Sequence, residues 1–153
     1  MNMLKIGDKA PDFELLDQHG NTLNSKDYKG QSYVVFFYPK ASTPGCTAEA
    51  CNLRDAQQDL LDKGIKVIGV SADSVKRQSN FSVKQELNYP LLADEDRVLI
   101  NAYGVWGPKK FMGKEYDGIH RTTFLVNNQG VIREVISKVK TKDHANQILA
   151  LIE

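Results

Sequence analysis

Cys46 and Cys51 are the only cysteines among 153 residues, and they lie five positions apart in Pro39-Lys40-Ala41-Ser42-Thr43-Pro44-Gly45-Cys46-Thr47-Ala48-Glu49-Ala50-Cys51. A thiol attacks well only as its thiolate, and an ordinary one, with a pKa of about 8.5, is mostly protonated at neutral pH. Thr43 reads as a helix N-cap and Pro44 as the first helical residue. Cys46 then falls in the first turn. Unpaired backbone N–H groups and the positive end of the helix dipole favour an anion there. A sulfur so placed, and open to a small oxidant, is a nucleophile. Thr43 can aim its hydroxyl at that sulfur or at a bound substrate. Glu49, three residues after Cys46, shares its helix face. The plain alternative is a buried cysteine packing as a small hydrophobe, with Thr43 only capping and Pro39 only ending a strand. A second thiol in the same short segment argues for chemistry instead.

Cys51 carries a geometric message. With Leu53, Ala56 and Leu60 as the inward stripe, Cys51 points roughly 160° away from Leu53, whereas Cys46 falls close to the stripe. Packing against a neighbouring loop would be the unremarkable explanation. In an intact helix, positions i and i+5 have Cα atoms about 8.6 Å apart, and a disulfide needs less than ~7 Å. The two sulfurs cannot join until the first turns unwind, so any bond between them is also a conformational switch.

Two other uses of paired cysteines fit poorly. A structural zinc site needs about four ligands at spacings such as C-x2-C. Here the spacing is C-x4-C, and the three histidines, His19, His120 and His144, show no ligand periodicity. Each reads as a surface or locally hydrogen-bonded residue, and no metal is expected. The C-x-x-C of a general dithiol oxidoreductase is also missing.

The elements that must hold this segment can be read from pattern. Short strands are expected at 13–16 and 22–23 around the turn Gln18-His19-Gly20-Asn21. The apolar run 32–38 reads as a strand buried on both faces. One helix is expected over 44–63, closed by Gly64, followed by a second buried strand over 65–71. Further helices are predicted at 75–87, 97–103 and 142–151. Strands 122–126 and 131–136 flank Asn127-Asn128-Gln129-Gly130, a hairpin signal. This order predicts an α/β fold with a central mixed β-sheet flanked by helices, in a single domain over 1–153. The crossover from 32–38 through the helix to 65–71 should make those strands parallel, with Cys46 just beyond a carboxyl end, where such sheets gather their active groups.

The bulk composition narrows the function classes. At 41% hydrophobic and 25% charged, the chain matches an ordinary globular domain rather than a disordered tail. A formal net charge of +1 without a Lys/Arg stripe argues against nucleic-acid binding. No apolar run suits a signal peptide or a membrane span, and two cysteines without export signals suit a reducing cytoplasm.

Pro39-x-x-x-Thr43-x-x-Cys46 resembles the active-site signature of the peroxiredoxins. The extension through Cys51 is similar to the bacterioferritin comigratory protein/peroxiredoxin Q subfamily. The match extends over nearly the whole chain, with further similar segments recurring in the expected order: Gly7–Phe13, Val70–Ser74, Tyr89–Asp94, Ala102–Trp106 and Gly118–Leu125. The resemblance implies a thioredoxin-like fold and an antioxidant peroxidase reducing hydrogen peroxide and organic hydroperoxides without a cofactor. It implies a peroxidatic Cys46, a resolving Cys51, and an internal disulfide between them that thioredoxin or another dithiol recycles. By position, Thr43 and Arg121 would hold the thiolate and the peroxide oxygens, Pro39 would shield the pocket, and Glu49 would orient Arg121. Read alone, Arg121 is a surface charge at a strand start. Ala41-Ser42 depart from the subfamily, whose members often carry acidic residues there; loop charge should change and the chemistry persist. The subfamily further implies a cytoplasmic monomer. A redox-sensing binding protein using the same disulfide switch is the alternative, separated by its slow peroxide consumption.

Overall fold

Five strands form the central sheet of the computed structural model, which describes residues 2–152. Residues 1 and 153, the ends of the expected domain, lie outside the described residues. The chain begins with an antiparallel pair, β1 (Glu14–Leu16) and β2 (Thr22–Asn24), and a short 3-10 helix over Ser25–Tyr28. Next come β3 (Ser32–Phe37), α1 (Pro44–Asp55), α2 (Gln57–Asp62) and β4 (Ile65–Ser71). Helix α3 (Val75–Lys84), β5 (Leu91–Ala93) and α4 (Val98–Tyr103) follow. A two-stranded ribbon, β6 (Trp106–Phe111) with β7 (Lys114–Ile119), precedes the hairpin β8 (Thr122–Val126) and β9 (Ile132–Ile136). Helix α5 (His144–Ile152) ends the described chain.

The sheet order is β5-β4-β3-β8-β9. Strands β3, β4 and β5 run parallel, β8 runs antiparallel to β3, and β9 runs antiparallel to β8. The expected parallel pairing of 32–38 with 65–71 and the 122–136 hairpin are both present. Alternation along the central strand feeds two cores. Val35 and Phe37 join Ile68, Val70, Ile100, Tyr103 and Phe124 on one face. Val34 and Phe36 join Ala50, Leu53, Leu60, Phe81 and Ile148 on the other. Helices α1, α2, α3 and α5 therefore cover one face and α4 the other, which is a thioredoxin-like α/β arrangement. Among the described residues, no helix is long and apolar enough to cross a membrane.

Some expectations need correction. The helix predicted over 44–63 breaks at Ala56 into α1 and α2. The Arg54 carbonyl accepts a hydrogen bond from Asn88 Nδ2 at 3.3 Å, a tertiary partner intruding on the helical ladder. Helix α3 ends at Lys84 rather than 87, because Glu86 takes a left-handed conformation with φ +52°. Strand β5 and the β6–β7 ribbon were not anticipated. The ribbon turns at Met112 (φ +51°) and Gly113 (φ +81°), both left-handed as a tight hairpin requires.

Candidate active site

Sheet bonding on β3 ends with Tyr38, whose N–H donates to the Val70 carbonyl at 3.1 Å. Beyond it, residues 39–43 cross the carboxyl end of the sheet. The Ala41 N–H donates to Asp73 Oδ2 at 2.7 Å, and the Ser71 hydroxyl donates to the same oxygen at 2.7 Å. Ser42 is left-handed at φ +67°, so the loop reverses within a few residues. Thr43 occupies the N-cap position, but its hydroxyl makes no cap bond. It donates instead to the Lys40 carbonyl at 2.8 Å, fastening the loop to itself and pointing at neither sulfur nor helix. Pro44 then opens α1, as the sequence suggests.

Cys46 is buried at 1% exposure among Tyr38, Ala41, Ala50 and Leu53. The expectation of an open sulfur is corrected here. The same inward stripe that seats the first turn of α1 on the sheet also carries this side chain inward. Arg121, between β7 and β8, meets it directly: its Nη2 donates to the sulfur at 3.2 Å. Arg121 Nη1 donates to Glu49 Oε1 at 2.6 Å. The Arg121 side chain keeps 22% exposure while Glu49 has none. Burial raises Glu49 to about 7 against the opposing pull of Arg121. A guanidinium held between a carboxylate and a sulfur supports a thiolate better than a thiol and presents a cation where a peroxide oxygen would gain charge.

Gly45 makes this geometry possible. A Cβ there would lie 3.3 Å from Arg121 Nη2, tighter than ordinary contact. Gly45→Ala is expected to push the guanidinium aside by a few tenths of an ångström and to slow single-turnover oxidation of Cys46 several-fold. The melting temperature should change little. Stopped-flow peroxide kinetics beside a thermal melt checks this, and an unchanged rate would mean that Arg121 tolerates displacement.

Pro39 is half-buried and contributes to an open cavity of about 360 Å³ with Lys40, Asp73, Arg77, Trp106 and Lys109. Neither Cys46 nor Arg121 lines it.

Cys51 lies one and a half turns along an unbroken α1, partly buried, and both cysteines are free. It packs against the end of α3: its thiol donates to Gln85 Oε1 at 3.5 Å, and Arg54 Nη1 lies 3.6 Å from the sulfur. The second half of α1 is bolted on three sides. Tyr89 donates its hydroxyl to the Ala50 carbonyl at 2.8 Å. Asn52 Oδ1 accepts from the Ala145 N–H at 2.7 Å. Arg54 Nη1 donates to the Gln85 carbonyl at 2.6 Å. Among the described residues, the first turn, residues 44–48, has no comparable side-chain hydrogen bond apart from that of Arg121 to Cys46.

The structure places Cys46, Glu49 and Arg121 side by side, and around them stand Gly45, Asp73, Arg54 and His144, to which the sequence assigns no role. His144, expected to be a surface or local residue, is wholly buried at the start of α5. Its Nε2 lies 2.7 Å from Thr123 Oγ1 and 3.5 Å from Glu49 Oε2. Its distance in sequence from Cys46 left no local signal.

Sheet order, loop and arginine-held thiol together define a thiol-based redox protein on a thioredoxin-like scaffold. The AhpC/TSA family model matches residues 6–135. Peroxiredoxin Bcp of Escherichia coli strain K12 is 49% identical over 149 residues, covering 97% of this chain and 96% of its own. Peroxiredoxin Bcp of Bacillus subtilis strain 168 is 44% identical, covering 98% and 96%. The solved PrxQ of Xylella fastidiosa superposes with a TM-score of 0.91 at 31% identity, covering 98% of this chain and 96% of its own. This chain belongs to the AhpC/TSA family and, within it, to the bacterioferritin comigratory protein/peroxiredoxin Q group of thiol peroxidases.

Proposed function

We propose that this chain, acting as one domain over 1–153, reduces hydrogen peroxide and organic hydroperoxides through Cys46 and resets itself through Cys51. The observation that carries the reading is the Arg121 guanidinium, 3.2 Å from the Cys46 sulfur and backed by Glu49 at 2.6 Å. A bacterioferritin comigratory protein of Xanthomonas campestris, 37% identical over 92% of this chain with a TM-score of 0.85, was solved in work on its alkyl peroxide reduction activity. Because Cys46 is 1% exposed, a peroxide reaches it only when the 39–45 loop yields. The thiolate then attacks one peroxide oxygen. The S–O bond forms, the O–O bond breaks, and the leaving oxygen takes a proton to become water or alcohol. Arg121 faces the charge that develops, Thr43 and Pro39 shape the loop around it, and Glu49 fixes Arg121. The first turn of α1 unwinds, the Cys51 sulfur displaces the sulfenic oxygen as water, and an internal disulfide remains. Thioredoxin or a similar dithiol exchanges with that bond and restores both thiols. The reading includes a cytoplasmic monomer that needs no cofactor.

A thioredoxin-coupled peroxide assay tests it. Cys51→Ser should consume about one equivalent of peroxide and then stop, since the sulfenic acid has no internal partner. Sustained thioredoxin-dependent turnover by that variant would remove Cys51 from the cycle.

A further inference from the structure

Behind Arg121 lies a buried polar cluster that the proposed cycle does not use. Glu49 Oε1 is occupied by Arg121, whereas Oε2 is buried without a hydrogen-bond partner among the described residues. His144 Nε2 lies 3.5 Å from it. The tautomer of His144 follows from its surroundings. Gln147 Nε2 donates to the Lys138 carbonyl at 3.0 Å, and Gln147 Oε1 accepts from the Lys140 N–H at 2.9 Å, which fixes the amide. Gln147 Oε1 also lies 2.9 Å from His144 Nδ1, so Nδ1 carries the hydrogen and donates. In a neutral ring Nε2 is then an acceptor, and its one lone pair takes the Thr123 hydroxyl at 2.7 Å, so it gives no hydrogen to Glu49 Oε2. Two acceptors, a carboxylate oxygen and a ring nitrogen, thus face each other across 3.5 Å with no hydrogen between them. One added proton relieves that opposition: on Oε2 it removes the carboxylate charge, and on Nε2 it turns the nitrogen into a donor with Thr123 Oγ1 and Oε2 as acceptors.

We propose that Glu49 and His144 together hold one exchangeable proton that balances the charge of the Cys46 thiolate, making His144 a positioning residue for the peroxidase reaction. The inference rests on the peroxidase reading. Without that proton, the three groups in direct contact, thiolate, guanidinium and carboxylate, sum to one net negative charge; with it, the three are neutral together. The S–H bond of Cys46 breaks heterolytically and the pair gains the proton. After oxidation the thiolate charge is gone, the pair's hold weakens, and the released proton matches the one the leaving oxygen takes up. The coupling is one of equilibrium and needs no proton wire. Burial raises Glu49 to about 7, and burial lowers His144, with Arg121 acting in the same direction on the histidine. Both shifts favour a proton on the carboxyl, against the hydrogen bond of Gln147 that supports a charged ring. The other groups that face the pair are accounted for. Tyr89 is held well above its ordinary value by burial and donates to Ala50. Lys109 faces Arg121 and Cys46 rather than the pair: burial and the repulsion of Arg121 lower it, the Cys46 sulfur opposes them, and it donates to the Ile119 carbonyl at 2.9 Å.

The test is the pH profile of single-turnover peroxide reduction in wild type, His144→Gln and His144→Phe. The glutamine amide donates permanently to Oε2 and keeps Glu49 charged, so the pH of half-maximal rate should rise by about half a unit or more. The phenylalanine ring leaves Oε2 with no polar neighbour and keeps Glu49 protonated, so that pH should fall. Shifts in opposite directions support the proposal; shifts in one direction, or none, overturn it as mere packing. Should either variant fail to fold, nitrogen-15 NMR of His144 in reduced wild type and in Cys46→Ser decides. The ring titration should move to lower pH when the thiolate is lost, and an unchanged midpoint overturns the coupling. Absence of turnover in wild type would instead sink the peroxidase reading, which the NMR measurement does not depend on.

Discussion

Cys46→Ser is expected to abolish peroxide turnover and to leave the fold in place. Serine is nearly isosteric, and its oxygen can accept from Arg121 as the sulfur does at 3.2 Å. A hydroxyl does not ionise near neutral pH and is not oxidised by peroxide as a thiolate is, so no sulfenic acid forms. The rate should drop to the uncatalysed background. Intact-mass analysis after peroxide should show no added oxygen and no loss of two hydrogens. Remaining turnover by this variant would move the nucleophile to another residue.

Arg121→Met is expected to have the second largest effect, on both rate and stability. Methionine fills similar space and supplies no charge. The thiolate loses its donor and the leaving oxygen loses its cation, a combination worth on the order of 10²–10³ in rate where a single preorganised donor is removed. The stability effect depends on pH. Breaking a buried ion pair costs about 3–5 kcal/mol when the surviving charge is stranded. Glu49, already raised to about 7 by burial, escapes that cost by taking a proton. Its folded value lies above its unfolded one, so its favourable contribution is present in acid and is lost as pH rises through neutrality. Removing Arg121 raises the folded value further. Urea unfolding should therefore show a small loss for Arg121→Met at pH 6 and a larger one at pH 8. Equal losses at both would show that the carboxylate does not titrate in this range.

How far the chain could be read depended on whether a residue's partners were near in sequence. The apolar runs 32–38 and 65–71 needed nothing but their own composition to declare buried strands. Pro44 and Gly64 marked a helical start and stop because backbone conformation is a local matter. Ala56 was illegible: the break there answers to Asn88, a distant side chain that takes the Arg54 carbonyl. The β6–β7 ribbon was missed because Trp106–Phe111 and Lys114–Ile119 are mostly exposed and carry no apolar alternation. At the site, Cys46 and Glu49 share a face by helical spacing alone. Arg121 became visible only through the family likeness, since the 3.2 Å contact joins residues 75 positions apart. The depth of Cys46 was misjudged in a physical way. Dipole and capping arguments favour an anion at a helix start, but they are silent on whether the surrounding loop closes over it.

The uneven anchoring of α1 sets the reach of any redox-driven rearrangement. With Ala50, Asn52 and Arg54 fastened to three neighbouring segments and the backbone already interrupted at Ala56, the helix has a loose front and a clamped rear. Disorder that starts at the active-site end meets these clamps before it can travel into the strands. The sheet and its two cores then form a frame that any such rearrangement would leave undisturbed, its reach held to a single helical turn.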